Sequence, residues 1–268
     1  MKNNIQLFNR IILVEIAKLK GTFAFWLTVL YPSGTVLLVT LFWISMRNQK
    51  SANTGMFIDN LGNVASFFLP FFIVLMISVA CNIEHKSSLL KHLLVLPVPR
   101  PVFYIGKFAG IMVFIFLAFL LTLIFAYASL FFCGLASPKL GFGADFNHLL
   151  LFKVITRAYF AASAIYTIQY WFGMKFRNLT LPVAIGSALI ILPIAIMIIL
   201  GITGLITKSD DFTKIISYNP YSYPYSTAFN MIKNKEVIIF SNLSLLFIAL
   251  SAAVLISGAW QFNKRNIV

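Results

Sequence analysis

Apolar positions run along this chain in six long stretches separated by short polar segments. The stretches predict transmembrane helices over about 22–46, 63–81, 102–135, 149–172, 179–206 and 237–262. Each is long enough to cross a hydrocarbon layer of about 30 Å. Pro32, Pro70, Pro182 and Pro193 fall inside them, and Pro32, which removes a ladder hydrogen bond, is expected to kink the first. The third stretch exceeds the layer thickness and is expected to tilt or protrude. Ahead of the first stretch, Leu7, Phe8, Ile11, Ile12, Ile16 and Leu19 share one helical arc, with Gln6, Asn9, Arg10 and Lys20 opposite. Residues 1–20 are therefore predicted to form an amphipathic helix lying in the membrane interface. Glu15 and Lys18 intrude on its apolar side at the i,i+3 spacing that suits an ion pair.

The segment between the second and third stretches has a pattern of its own. Leu89, Leu90, Leu93, Leu94 and Leu96 fall on one arc, and Glu84, His85, Ser87, Ser88, Lys91 and His92 fall on the other. Lys86 and Val95 break this division. Pro97 and Pro99 stop the helix, because each lacks an N–H and restricts the residue before it. The expectation is a short helix held at the membrane boundary where a soluble partner can push on it; the bland alternative is a solvated surface loop. The 207–236 segment is rich in Tyr, Pro and Ser and is expected to hold short helices that dip into the membrane without crossing it.

Composition agrees with an integral membrane protein. Of 268 residues, 60% are hydrophobic and 10% charged, against about 25% charged in a soluble domain. The net charge of +14 is spread over short loops beside apolar stretches, where anionic lipid is the natural counter-charge; no nucleic-acid partner is expected. Twelve basic residues sit at the N-terminus, in the 86–107 region, at 175–177 and at 264–265; seven sit in the alternate loops, with five of the seven acids. The positive-inside rule then places both termini in the cytoplasm of a six-span protein in the cell membrane. Charges that continue to Lys20 argue against a cleavable signal peptide. Cys81 and Cys133 fall at opposite faces, so no disulfide is expected between them.

No phosphate-binding G-x-x-x-x-G-K-[ST] loop and no H-E-x-x-H zinc motif occurs, and His85, His92 and His148 are scattered. The chain is expected to be no enzyme and to hold no metal or cofactor. Carboxylates are nearly absent from the apolar stretches, which argues against an ion-coupled carrier.

The run Glu84…Leu89-Leu90…Leu93-Leu94…Leu96-Pro97-Val98-Pro99-Arg100…Tyr104-Ile105-Gly106-Lys107, with six spans and a basic N-terminal helix, resembles ABC-2 type transporter permeases. Leu-Pro-Val-Pro-Arg carries one proline more than the family pattern. Asn219-Pro220-Tyr221 and Pro224-Tyr225 are similar to the lantibiotic- and bacitracin-immunity branch. The resemblance implies an all-α permease of one domain over 1–268, paired with a second permease subunit, identical or different. It also implies a separate ATP-binding subunit that carries ATP and Mg. Glu84, His85, Lys86, Lys91, His92, Leu93 and Arg100 would form the coupling segment. The implied function is ATP-driven expulsion of hydrophobic or cationic peptides of the lantibiotic type, giving immunity or resistance. Export of a lipid, polysaccharide or other amphiphile is the alternative, and a non-transporting scaffold or sensor is the reading from another class. Phe68, Phe71, Phe72 and Met76 are candidates to line a greasy substrate path, although such stripes also suit helix packing. Arg157, and with it Lys153, would face the subunit interface or an outer vestibule, or else snorkel to headgroups.

Overall fold

The computed structural model describes residues 2–46, 54–86, 99–136, 146–203, 217–234 and 238–264. These residues form α1 (Lys2–Leu19), α2 (Phe23–Ser45), α3 (Thr54–Lys86), α4 (Arg100–Ala136), α5 (His148–Ala161), α6 (Ser163–Lys175), α7 (Thr180–Ile202), α8 (Tyr223–Asn234) and α9 (Asn242–Lys264). No strand occurs among them. Six helical lengths are long and apolar enough to cross a membrane, with α5 and α6 together making the fourth. The protein is an all-α polytopic membrane protein.

Helix α3 is the centre of the bundle. It packs against α2, α5, α6, α7 and α8, and Leu61, Leu69, Ile73, Met76 and Ile77 along it are fully buried. It starts at Thr54, well before the apolar run at 63, because Phe57, Ile58 and Leu61 continue its buried face beneath Trp43 of α2. The outer faces carry Leu37, Leu41, Phe116, Ile124, Ile191, Ile198 and Ile256, all exposed, as lipid-facing helices require. In a bilayer these apolar surfaces gain little by meeting each other, so association rests on close packing and on buried polar contacts.

Both devices are present. Gly186 of α7 leaves room for the Gln169 side chain; an added Cβ would lie 2.7 Å from its Oε1 and from Val74. Gln169, Ser78 and Tyr221 are all buried. The Gln169 amide donates to Ser78 Oγ (2.8 Å) and to the Pro182 carbonyl (2.9 Å), and its Oε1 accepts from the Tyr221 hydroxyl (3.0 Å). One side chain thus ties α3, α6, α7 and the segment before α8 together.

That segment is irregular backbone inside the bundle, which is tolerated only where its polar groups are met by protein. Pro193 lacks an N–H, so the Leu189 carbonyl four residues earlier loses its helical partner. Asn219 Nδ2 donates to that carbonyl at 2.8 Å, and Asn219 Oδ1 accepts from the Tyr221 amide at 2.9 Å. The sequence treats 149–172 as one continuous helix, whereas the structure interrupts it at Ala162. The Tyr159 carbonyl, within the last turn of α5, accepts from the Tyr166 hydroxyl at 2.9 Å, which helps satisfy the break. Cys81 and Cys133 are buried and form no disulfide with each other; they lie near the ends of α3 and α4 respectively.

Candidate functional site

Most of the basic segments converge on one end of the bundle. Gly21, at φ +83, lets the chain turn from α1 into α2, a left-handed conformation that glycine adopts without strain. Helix α1 then lies along the first turns of α4. Gly106 and Gly110 of α4 form a small-x-x-x-small stripe that admits it. A Cβ at 106 would stand 2.8 Å from Ile11 Cγ2, and one at 110 would stand 2.7 Å from Glu15 Cβ. Beside this stripe Lys107 Nζ lies 3.3 Å from Glu15 Oε2, and Lys18 Nζ lies 2.8 Å from Glu15 Oε1.

Glu15 is 2% exposed and Lys107 1%. Burial of either charge alone would cost several kcal/mol; pairing makes the arrangement tolerable and fixes which turn of α1 faces which turn of α4. The acid that intrudes on the apolar arc of α1 is therefore the group that holds this helix in register. Lys18 pairs with it from the rim, as the i,i+3 spacing predicts. The role of Lys107 as the buried partner of Glu15 is not legible in the sequence, where the two residues are remote.

Arg100 opens α4 at the same end and its Nη1 donates to the Asn263 carbonyl of α9 at 3.1 Å. Glu84, His85 and Lys86 form the last residues of α3. Lys91, His92 and Leu93, with the rest of 87–98, lie outside the described residues. The predicted coupling segment thus connects two helices, and the second of them, α4, is fastened to α1 through Lys107 and to α9 through Arg100.

The candidates for a substrate path separate. Phe72 is buried and stacks on Tyr31 at 4.7 Å, while Phe68 is partly open. Phe68, Phe71 and Phe72 line a crevice of about 280 Å³ between α2 and α3. Met76 is fully buried in the core and does not reach it. Arg157 is half-buried on α5 and its electrostatic neighbour is Tyr223, the first residue of α8; among the described residues no carboxylate pairs with it. Lys153 is half-buried one turn earlier.

A larger space lies elsewhere in the bundle, at a place the apolar pattern of the sequence does not mark. Between α4, α5, α6 and α9 lies a cavity of about 520 Å³ lined by Phe108, Met112, Phe116, Phe119, Tyr159, Phe160, Tyr166 and Leu255, among others. Phe116 and Phe160 are exposed on the outer face of the bundle, so the cavity opens sideways rather than at an end. Thr156 Oγ1 and Ser163 Oγ line it, flanking the break in the fourth span; both are buried and have no hydrogen-bond partner. The only local sign of it in the sequence is the small-residue run Ala161-Ala162-Ser163 in an otherwise bulky span.

Among the described residues no group of His, Cys, Asp and Glu side chains is placed to hold a metal ion. The arrangement they form offers no nucleophile with an adjacent base. It offers a mechanical connection at one end and an apolar cavity in the membrane-spanning region.

A search of curated proteins gives no match. Residues 11–193, well over half the chain, match the family model described as ABC-2 family transporter protein. That span includes the Glu15–Lys107 clamp and the end of α3 with the start of α4. The chain belongs to the ABC-2 transporter family, the membrane-spanning permease component of ABC transporters, which works with an ATP-binding subunit and is not itself catalytic.

Proposed function

We propose that this permease receives force from a cytoplasmic ATP-binding subunit docked on residues 84–100 and uses it to expel hydrophobic or cationic peptides, such as lantibiotic-type antibiotics, from the membrane. Both termini lie in the cytoplasm, because the end of the bundle where α1, α4, α6 and α9 meet carries most of the basic residues among the described residues. ATP and Mg sit on the partner. Glu84, His85, Lys86, Lys91 and His92 form the polar docking face, with Leu93 on the apolar side and Arg100 anchoring the return into α4. A second permease subunit completes the path.

The observation that carries this reading is the fastening at that end. A push that reaches the start of α4 is carried into its neighbours, because α4 is held to α1 by the buried Glu15–Lys107 pair and to α9 by the Arg100–Asn263 bond. The displacement passes into α4, which forms one wall of the lateral cavity. For ATP to drive the cycle, the docked ATPase must bind the two positions of this segment with different affinity. The cavity suits a compound that partitions into the bilayer first: its walls are aromatic and aliphatic, and the two orphan hydroxyls can receive a peptide carbonyl or amide.

The second reading, export of a lipid or another amphiphile, is favoured by the same cavity, since its nearly continuous apolar lining also suits an acyl chain. Resistance assays separate the two. Cells expressing the permease and its ATPase should survive cationic lantibiotics better than controls, and Ala252→Phe, which puts a bulky ring on the α9 wall of the cavity, should abolish the advantage while the complex still assembles. No protection from any such peptide, with altered lipid export instead, decides for the second reading.

A further inference from the structure

The end of the bundle that gathers α4, α6 and α9 holds another opening, of about 550 Å³, distinct from the lateral cavity. Tyr104, Trp171, Lys175, Gly258, Trp260 and Lys264 line it. Trp171 Nε1 donates to Gln261 Oε1 at 3.0 Å, which braces one wall. Lys175 Nζ lies 4.4 Å from the centre of the Trp171 ring, and Lys264 Nζ lies 3.7 Å from that of Trp260. Two ammonium groups are thereby held on aromatic faces at the mouth.

The floor supplies an independent observation. Tyr104 is 1% exposed, packed on the Tyr170 ring at 4.7 Å, and its buried hydroxyl has no hydrogen-bond partner. Gly258 lies directly against that hydroxyl, and any Cβ there would overlap it. The floor therefore combines an unmet donor with a bare backbone, under a cationic, aromatic rim.

We propose that this opening binds the phosphate-bearing headgroup of an anionic phospholipid from the adjoining leaflet. Lys175 and Lys264 neutralise the phosphate, and the Tyr104 hydroxyl donates to an oxygen at the base of the headgroup. Trp171 and Trp260 lie one turn from the ends of the helices that finish at Lys175 and Lys264, the level at which amphipathic rings meet headgroups, and Trp260 is 59% exposed. That exposure favours a lipid over a soluble phosphate, because the open wall beside the lysines is apolar and accommodates the glycerol and the start of the acyl chains. The site does not depend on what the transporter carries.

The test is native mass spectrometry of the full permease released from bilayers of phosphatidylcholine doped with phosphatidylglycerol. The wild-type chain should retain phosphatidylglycerol over phosphatidylcholine by about tenfold, a modest expectation for two lysines at an anionic surface. Lys175→Gln with Lys264→Gln should bring retention near parity without changing thermal unfolding, since both side chains are exposed. Gly258→Ala combined with Tyr104→Phe, which removes the overlapping oxygen, should also lower retention. Equal retention of the two lipids by the wild type, or unchanged preference in the lysine double variant, overturns the proposal. Displacement of the lipid by millimolar glycerol 3-phosphate or inorganic phosphate would assign the site to a soluble phosphate and overturn the lipid assignment.

Discussion

Replacing Glu15 by Gln tests the clamp between α1 and α4. The substitution keeps size and hydrogen-bonding capacity but leaves the Lys107 ammonium, 1% exposed, without its carboxylate 3.3 Å away. Removing one member of a buried ion pair costs about 3–5 kcal/mol. Lys107 makes further interactions, and α1 lies on the outside of the bundle where it can lift to let water reach the cation. The expected loss is therefore about 2–3 kcal/mol, below the full penalty. By the scale of soluble domains this lowers Tm by roughly 5–10 °C. Glu15→Gln with Lys107→Met removes both charges and should recover to within about 1 kcal/mol of wild type, because a buried pair exchanged for apolar packing is close to neutral. The assay is thermal unfolding in detergent followed by intrinsic fluorescence, with four tryptophans as reporters. If the double variant is as unstable as the sum of Glu15→Gln and Lys107→Met, the two groups do not interact and the clamp is not what holds α1.

The packing sets three further outcomes. Gly110→Ala should destabilise more than Gly34→Ala, because a Cβ at 110 meets Glu15 Cβ at 2.7 Å whereas one at 34 meets open space; the same unfolding assay reads the difference. Asn219→Ala should cost about 1–3 kcal/mol by orphaning the Leu189 carbonyl, and Pro193→Ala in that background should recover part of it by restoring the helical N–H. Equal effects of Pro193→Ala in both backgrounds would deny the pairing. Gln169→Leu should be at least twice as destabilising as Tyr221→Phe, since it strips partners from Ser78, Pro182 and Tyr221 rather than from Gln169 alone.

Periodicity is the part of this fold that can be read along the chain. Six apolar runs and the amphipathic arc of 1–20 have a direct physical consequence, burial in lipid or at its interface, and no tertiary information is needed to read them. The Glu15–Lys18 pair is equally local. Contacts between remote residues are not visible in this way. Nothing in the span around Gln169 predicts that it meets Tyr221, and nothing in the helix of Pro193 predicts that Asn219 replaces the missing amide donor to Leu189. The break at Ala162 is hidden for a different reason: both halves are helical and apolar, so the period continues through it. Met76 sits on the same apolar stripe as Phe68 and Phe72, and only the packing of α3 among its neighbouring helices distinguishes a core residue from one that borders a crevice.

The most direct measurement of the central claim is site-specific crosslinking in intact membranes between a cysteine at Leu93 and the ATP-binding subunit that co-purifies with the permease. Force transmission through 84–100 predicts a crosslink whose yield changes when ATP is bound, and loss of the complex on Glu84→Lys with Lys91→Glu. A cysteine at position 93 that is instead labelled by an impermeant reagent from outside the cell, with no crosslink to the ATPase, contradicts it.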